Sequence, residues 1–279
     1  MAAPATTSSS RPLLPRRISP AAIARYRQCP RAVYFQYVAK VPRRERPSPQ
    51  LMLGNAVHGA LDKFFGLRPE DRQPPVEVLH RCLRSVWKTH RRADTFATVE
   101  EERDYGEQGL RMLTSFAEQF DTTIVPLARE RWLSTRLPNG VELFGRADRI
   151  DGTVQAGEPG VVDVVDYKTG RFVIDGEDLR EEPAAQTYLL AAEDQYGREV
   201  RRVRYVYLTH GVESRWEPER EDVEAAREEL LTVTWEMYTD AQFEARPGEH
   251  CGRCPFAHVC PDAGRVELGE LEVDDDIAF

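Results

Sequence analysis

Cysteines stand near both ends of this 279-residue chain. Cys29 lies in YRQCPRAVYF, and Cys251, Cys254 and Cys260 follow within one ten-residue stretch far downstream. With Cys82 the count is five, and in a reducing compartment an odd number with three packed together reads as metal ligation before it reads as disulfides. A four-thiolate site made from Cys29 and the downstream three binds only the folded chain, so it would staple the N-terminal helix to the C-terminal loop. Ligand type alone leaves Zn²⁺ and an iron–sulfur cluster both open. Cys82, among the apolar positions of LHRCLRSVW, reads as a small buried hydrophobe rather than a fifth ligand. His250 and His258 flank the triad and could replace a thiolate in a zinc site; they read as bystanders.

The expected compartment is the cytoplasm. No apolar run approaches the roughly 18 residues that span a bilayer, and MAAPATTSSSRPLLPRR lacks the apolar stretch of a secretory signal. The net charge of −9 argues by itself against a nucleic-acid binder, because phosphate contacts need cations. Its distribution argues the other way. From Arg11 to Arg46 nine arginines and Lys40 face the one acid Glu45, leaving a local basic stretch in an acidic chain. That stretch reads either as a solvated arm or as a phosphate-tracking surface.

Periodicity divides the rest. Ser19-Pro20 followed by AAIARYRQCPRAVYFQYV predicts an N-cap and amphipathic helical turns, and the prolines of VPRRERPSPQ then interrupt them. Apolar residues at three- and four-residue steps predict helices over Leu51 to Phe65, Pro75 to His90 and about Val99 to Phe120. The period then changes to two. ARERWLSTRL, GVELFGRADRI and VVDVVDYKT read as consecutive strands, joined by a turn at Pro138-Asn139-Gly140 and by a loop over Asp151 to Gly160. A helix from about Pro183 to Tyr196, a strand VRRVRYVYLTH and a helix from Asp222 to about Tyr238 complete an α/β layer protein without internal repeats. Residues 1–17 and 263–279 read as mobile tails, the latter acidic.

In VVDVVDYKT, residues two apart share a face, so Asp166 and Lys168 point one way and Tyr167 the other. Asp148, at the end of FGRAD, comes beside Asp166 if these strands pair. Two carboxylates and an ammonium suit phosphodiester hydrolysis: hard Mg²⁺ or Mn²⁺ takes oxygen ligands from one or two carboxylates, and a cation stabilises the charged transition state. The plain alternative is an ion pair at a strand end, as a core histidine is for His58. Glu130, at the start of the first strand, reads as support for the sheet or the site.

Four motifs in order make the resemblance specific. GNAVHGALDKF carries His58, GRADRID carries Asp148, VVDYKTG carries Asp166 and Lys168, and EPAAQTYLLAA carries Gln186. Together they resemble the RecB-type branch of the PD-(D/E)XK nucleases, with matching order and spacing from about Ile18 to Pro261. The resemblance implies a restriction-endonuclease-like α/β core: a small central mixed β-sheet flanked by helices, in one nuclease domain over 18–262. It implies His58, Asp148 and Asp166 as metal ligands with the Tyr167 carbonyl joining them, Lys168 as catalytic lysine, and Gln186 as a group positioning the site or the strand. One departure stands out. The family's tyrosine falls four residues after the glutamine, where this chain has Leu190; Tyr188 comes two residues on, about 160° round a helix at 100° per residue. Iron–sulfur members, including AddB-type and CRISPR-associated exonucleases, pair one N-terminal cysteine before C-P with a terminal C-x2-C-x5-C-P. By this likeness Cys29, Cys251, Cys254 and Cys260 hold a 4Fe-4S cluster in a helical clasp formed by 19–40 and 247–262.

The expected function is that of a Mg²⁺- or Mn²⁺-dependent DNA exonuclease for single strands or duplex ends, serving repair or recombination. Rival readings are a non-catalytic DNA-binding subunit beside a helicase or recombination partner, and a CRISPR adaptation nuclease. There is no G-x-x-x-x-G-K-[ST] phosphate loop, so unwinding would need a partner chain. Tyr26, Tyr34, Phe35 and Tyr37 near Cys29 read mainly as helix core and secondarily as stacking platforms in a channel.

Overall fold

A computed structural model describes residues 14–43, 48–92, 94–152 and 160–263. The expectations for residues 1–13, for 264–279 and for most of the loop after Asp151 lie outside the described residues. From Leu14 onward the chain is built into the fold: Leu14 is buried, and Arg17–Ile18 forms a short strand, β1.

The N-terminal helix is split. Pro20–Gln28 forms α1 and Pro30–Val33 forms α2, with Cys29 extended between them, because Pro30 has no N–H to continue the first helix. A π-turn over Tyr34–Val38 follows. Three helices then pack together: α3 over Pro49–Phe65, α4 over Pro75–His90 and α5 over Val99–Gln119. Ser48 and Thr98 cap α3 and α5 by accepting from the amides of Leu51 and Glu101.

Five further strands make a six-stranded mixed sheet with β1: β2 Ala128–Arg136, β3 Glu142–Gly152, β4 Val162–Lys168, β5 Val200–Tyr207 and β6 Val212–Trp216. The order is β1-β3-β4-β5-β6, with β2 also on β3. β2 and β3 form a hairpin about Asn139, whose next residue, Gly140, takes φ 83, a left-handed conformation that a side chain would strain. β4 runs antiparallel to β3 and parallel to β5, and the crossover between them carries α6, Pro183–Tyr196. α7, Arg220–Thr239, closes the layer. β6 was not foreseen in the sequence: it is five residues, VESRW, entered through a turn at Gly211 with φ 65, and its partner β5 ends at Tyr207.

β4 lies in the middle, buried on both faces. Val165 and Tyr167 pack against α3, α4 and α5, while Val162 and Val164 pack against α6. Its apolar residues therefore fall on both faces, Val162 and Val164 on one and Val165 and Tyr167 on the other, instead of on one face only. A third cluster joins Leu14, Ile18, Ile23 and Tyr26 to Leu143 and to Leu230, Val233 and Met237 of α7. Tyr34 and Tyr37 pack against that cluster, and Phe35 lies against Phe256, so these aromatics serve the core. Among the described residues no helix is long and apolar enough to cross a membrane.

Candidate active site

The site forms where the sheet's ladders part. In the β2–β3 hairpin the pairs Arg129↔Arg149 and Arg131↔Ala147 bracket Glu130 and Asp148, which stand opposite each other without a ladder pair of their own. Glu130 has φ 47, a left-handed conformation that interrupts the ladder at this one position without inserting a residue, since the register on either side is the same. On the other edge of β3 the pairing with β4 ends at Arg149↔Val165, one step short of Asp148 and Asp166. Glu130, Asp148 and Asp166 are thus neighbours on one rung across three strands.

Asp148 fills the gap. Its Oδ2 accepts from the Tyr167 amide at 2.6 Å, and its Oδ1 lies 2.9 Å from His58 Nδ1 on α3. His58, Glu130 and Asp148 bring one ligand atom each within 4.8 Å of one another. Asp166 Oδ1 is 3.2 Å from Lys168 Nζ, and that ammonium also sits 4.1 Å from the centre of the Tyr205 ring. On its outer side Glu130 meets Arg146 Nε at 2.9 Å.

The electrostatics are those of crowded anions. Burial raises the pKa of Asp166, opposed by Lys168 and reinforced by Asp148. Burial likewise raises Glu130, with Asp148 adding to the shift and Arg146 resisting it. For His58 burial works downward, but the Asp148 hydrogen bond and the charges of Asp148, Asp166 and Glu130 outweigh it and hold the imidazole above its ordinary value. Oxygen-rich donors with one imidazole suit a hard divalent cation, whose charge would relieve this repulsion. The residues fit the metal.

The structure brings together His58, Asp148, Asp166, Lys168 and, of the Tyr167 backbone, the amide that bonds Asp148. Gln186 it places elsewhere. Its amide donates to the Arg180 carbonyl at 2.8 Å and to Glu229 at 2.7 Å, tying α6 to the 3-10 turn Glu177–Glu181 and to α7. Leu190 is buried in the N-terminal cluster, while Tyr188 reaches the site: its hydroxyl donates to the Arg146 carbonyl at 3.0 Å and interacts with Asp166. Its ring lies against Gly145, where an added Cβ would come within 2.9 Å of it. Glu130 is the member that motif reading underweights. The signal was the hairpin: a turn centred on Asn139 pairs 130 with 148.

Cys29, Cys251, Cys254 and Cys260 line one small cavity, with Phe35 and His250. Burial raises the Cys254 thiol, and Cys29 and Cys251 add to the shift. Among the described residues no three cysteine sulfurs lie within 4.8 Å of one another, whereas thiolates about 2.3 Å from a single zinc would stand closer than that. Cys82 is half-buried beside the α3–α5 cluster, away from this cavity.

Among solved structures, the crystal structure of SSO0001 aligns over 89% of this chain and 87% of that chain, with 12% identity and a TM-score of 0.36. A search of curated proteins finds no match. The family profile of the PD-(D/E)XK nuclease superfamily matches residues 17–261, a span that takes in the whole sheet, the carboxylate rung and the four cysteines. By that match the chain belongs to the PD-(D/E)XK nuclease superfamily.

Proposed function

We propose that this protein is a Mg²⁺- or Mn²⁺-dependent DNA exonuclease of RecB type, acting on single strands or duplex ends in DNA repair or a related processing step. Membership of the superfamily implies metal-dependent nuclease activity on DNA. The observation that carries the finer reading is the rung Glu130–Asp148–Asp166, with His58 on one side and Lys168 on the other.

Glu130, Asp148 and His58 would hold the cation, with Asp166 beside them. The chemistry such a cation supplies when bound is Lewis acidity toward a phosphoryl oxygen and toward water. The chain does the rest. Lys168 sets a fixed ammonium beside Asp166, where charge develops on the phosphorane oxygens. The Tyr167 amide and His58 fix the orientation of Asp148, and Tyr188 spans from Arg146 to Asp166 beneath the rung.

The four cysteines, in this reading, hold a 4Fe-4S cluster that staples the ends of the fold and takes no part in hydrolysis. Its support is the shared cavity and the C-x2-C-x5-C-P string with Cys29 upstream.

The test is cleavage of end-labelled single-stranded and duplex DNA by anaerobically purified protein in Mn²⁺, Mg²⁺ or EDTA, beside Asp166→Ala and Lys168→Ala. Metal-dependent degradation from an end is expected, with Lys168→Ala slower by about a hundredfold or more and Asp166→Ala inactive. A folded wild type that cuts neither substrate would make the chain a non-catalytic DNA-binding subunit of a larger assembly.

A further inference from the structure

Between α1, α3, the α4–α5 connection and the cysteine loop runs a cleft of about 940 Å³. Its lining carries four arginines, Arg25, Arg43, Arg92 and Arg253, and His90; Arg92 forms an exposed ion pair at 3.2 Å with Asp94, which lies outside the lining. Among the described residues no carboxylate lines it, in a chain whose net charge is −9. Such a concentration of one sign at a concave surface focuses potential on an anion. The floor is different. Leu51 is 61% exposed there, beside Met52 and Pro255. A groove with cations and an apolar floor matches a chain that is anionic along its backbone and flat and apolar at its bases.

The cleft also shares α3 with the candidate active site. Leu51, Met52 and Asn55 line it from α3, and His58 follows Asn55 by one helical turn. Gly54 of the same helix backs onto Thr169, where an added Cβ would stand 3.1 Å from the hydroxyl oxygen, and Thr169 follows Lys168. The opposite wall is the cysteine loop itself, through Gly252, Arg253, Cys254 and Pro255.

We propose that this cleft is the path of a single DNA strand into the active site, with Arg25, Arg43, Arg92 and Arg253 on its phosphates and Leu51 and Pro255 against its bases. The proposal rests on the nuclease reading for its direction of travel, while binding itself needs no cleavage.

Binding of short labelled single-stranded and duplex DNA is measured in EDTA across a salt series, so that no cutting intervenes. The variant combines Arg43→Gln, Arg92→Gln and Arg253→Gln, three exposed positions whose loss is checked against melting temperature. Single-strand affinity should fall roughly tenfold or more, and the slope of log affinity against log salt should flatten by about 2, near 0.7 for each lost contact. A control of equal charge change, Arg84→Gln with Lys88→Gln and Arg103→Gln on the α4–α5 surface, should leave the slope in place. Equal losses in both variants, no loss in the first, a duplex weakened as much as the single strand, or a wild type that binds no single strand would each overturn the proposal. Wild-type binding that depends on the cleft arginines without any Mn²⁺-dependent cleavage would retire the nuclease reading and leave the cleft standing.

Discussion

Glu130 carries the sharpest conflict in the molecule between local conformation and chemical role. A glutamate at φ 47 occupies a region that costs a side-chain-bearing residue about 1–2 kcal/mol, and here it also faces Asp148. Replacing it relieves both. Glu130→Gly should raise the metal-free stability by about 1 kcal/mol in urea unfolding, while the Mn²⁺ needed for half-maximal cleavage rises at least about tenfold. A variant that loses stability and keeps its metal requirement would remove Glu130 from the site. At this scale the sequence was legible for the motif residues on α3, β3 and β4, and not for the one on α6. His58, Asp148, Asp166 and Lys168 converge because strand alternation and helix phase act locally. Gln186 and Tyr188 were not legible in the same way. Their directions depend on how α6 is rotated against the sheet, and Gly145 sets that by leaving room for the Tyr188 ring.

The elements hold this geometry through a second set of buried charges on β4 and β5. Asp163 is 3% exposed and bonds Arg201 at 2.7 and 2.9 Å and Arg202 at 2.5 and 3.2 Å. Burial would raise its pKa, but the two guanidiniums overcome that and leave it below the ordinary value. A carboxyl depressed on folding adds stability that is complete above its unfolded pKa of about 3.9 and is lost as pH falls through the folded value. Asp163→Asn should therefore cost about 1–3 kcal/mol at neutral pH, and its stability should fall less steeply than wild type below about pH 4. Parallel acid limbs in chemical unfolding would show that the pair contributes nothing to folding. Gly176→Ala probes the loop after the lysine: a Cβ there would stand 2.5 Å from the Arg215 carbonyl oxygen, a backbone atom that yields only if β6 moves. A loss of about 1–3 kcal/mol is expected, read as a lower melting temperature. The helices and strands with clean periods were foreseen to within a few residues, α6 at both ends, because Pro183 and Gly197 punctuate it. β6 and the two-residue β1 escaped, since each owes its existence to a neighbouring strand rather than to its own pattern.

At the scale of the whole molecule the two ends of the described chain are drawn together. Arg31 Nε donates to the Phe243 carbonyl at 2.8 Å, Arg246 donates to the Arg27 carbonyl at 2.7 Å, and the Tyr26 hydroxyl meets Asp240 at 3.0 Å. The cysteine cavity sits beside these contacts, lined by Arg31 and Arg246 as well as by the thiols. Cys254→Ser should lose iron and sulfide together and lower the melting temperature, with the 4Fe-4S absorbance as the readout. Unchanged iron content and unchanged melting would sink the cluster assignment, and zinc in place of iron would replace it. Composition gave the wrong hint at this scale, since a net charge of −9 hides a cleft without a described acid. Only folding sorts the charges into places.

The cleft's two walls come from opposite ends of the described chain, Arg25 from one and Gly252 to Pro255 from the other. This gives its construction a temporal order. During synthesis the carboxylates are all made by Asp166, and because β4 packs on β5 and against α6 the rung can assemble once Tyr207 has emerged, before residue 255 has left the ribosome. A nascent chain in that interval has the carboxylates and only one wall of the cleft. The rung and the far wall thus form at different moments, and the second waits for the last residues described.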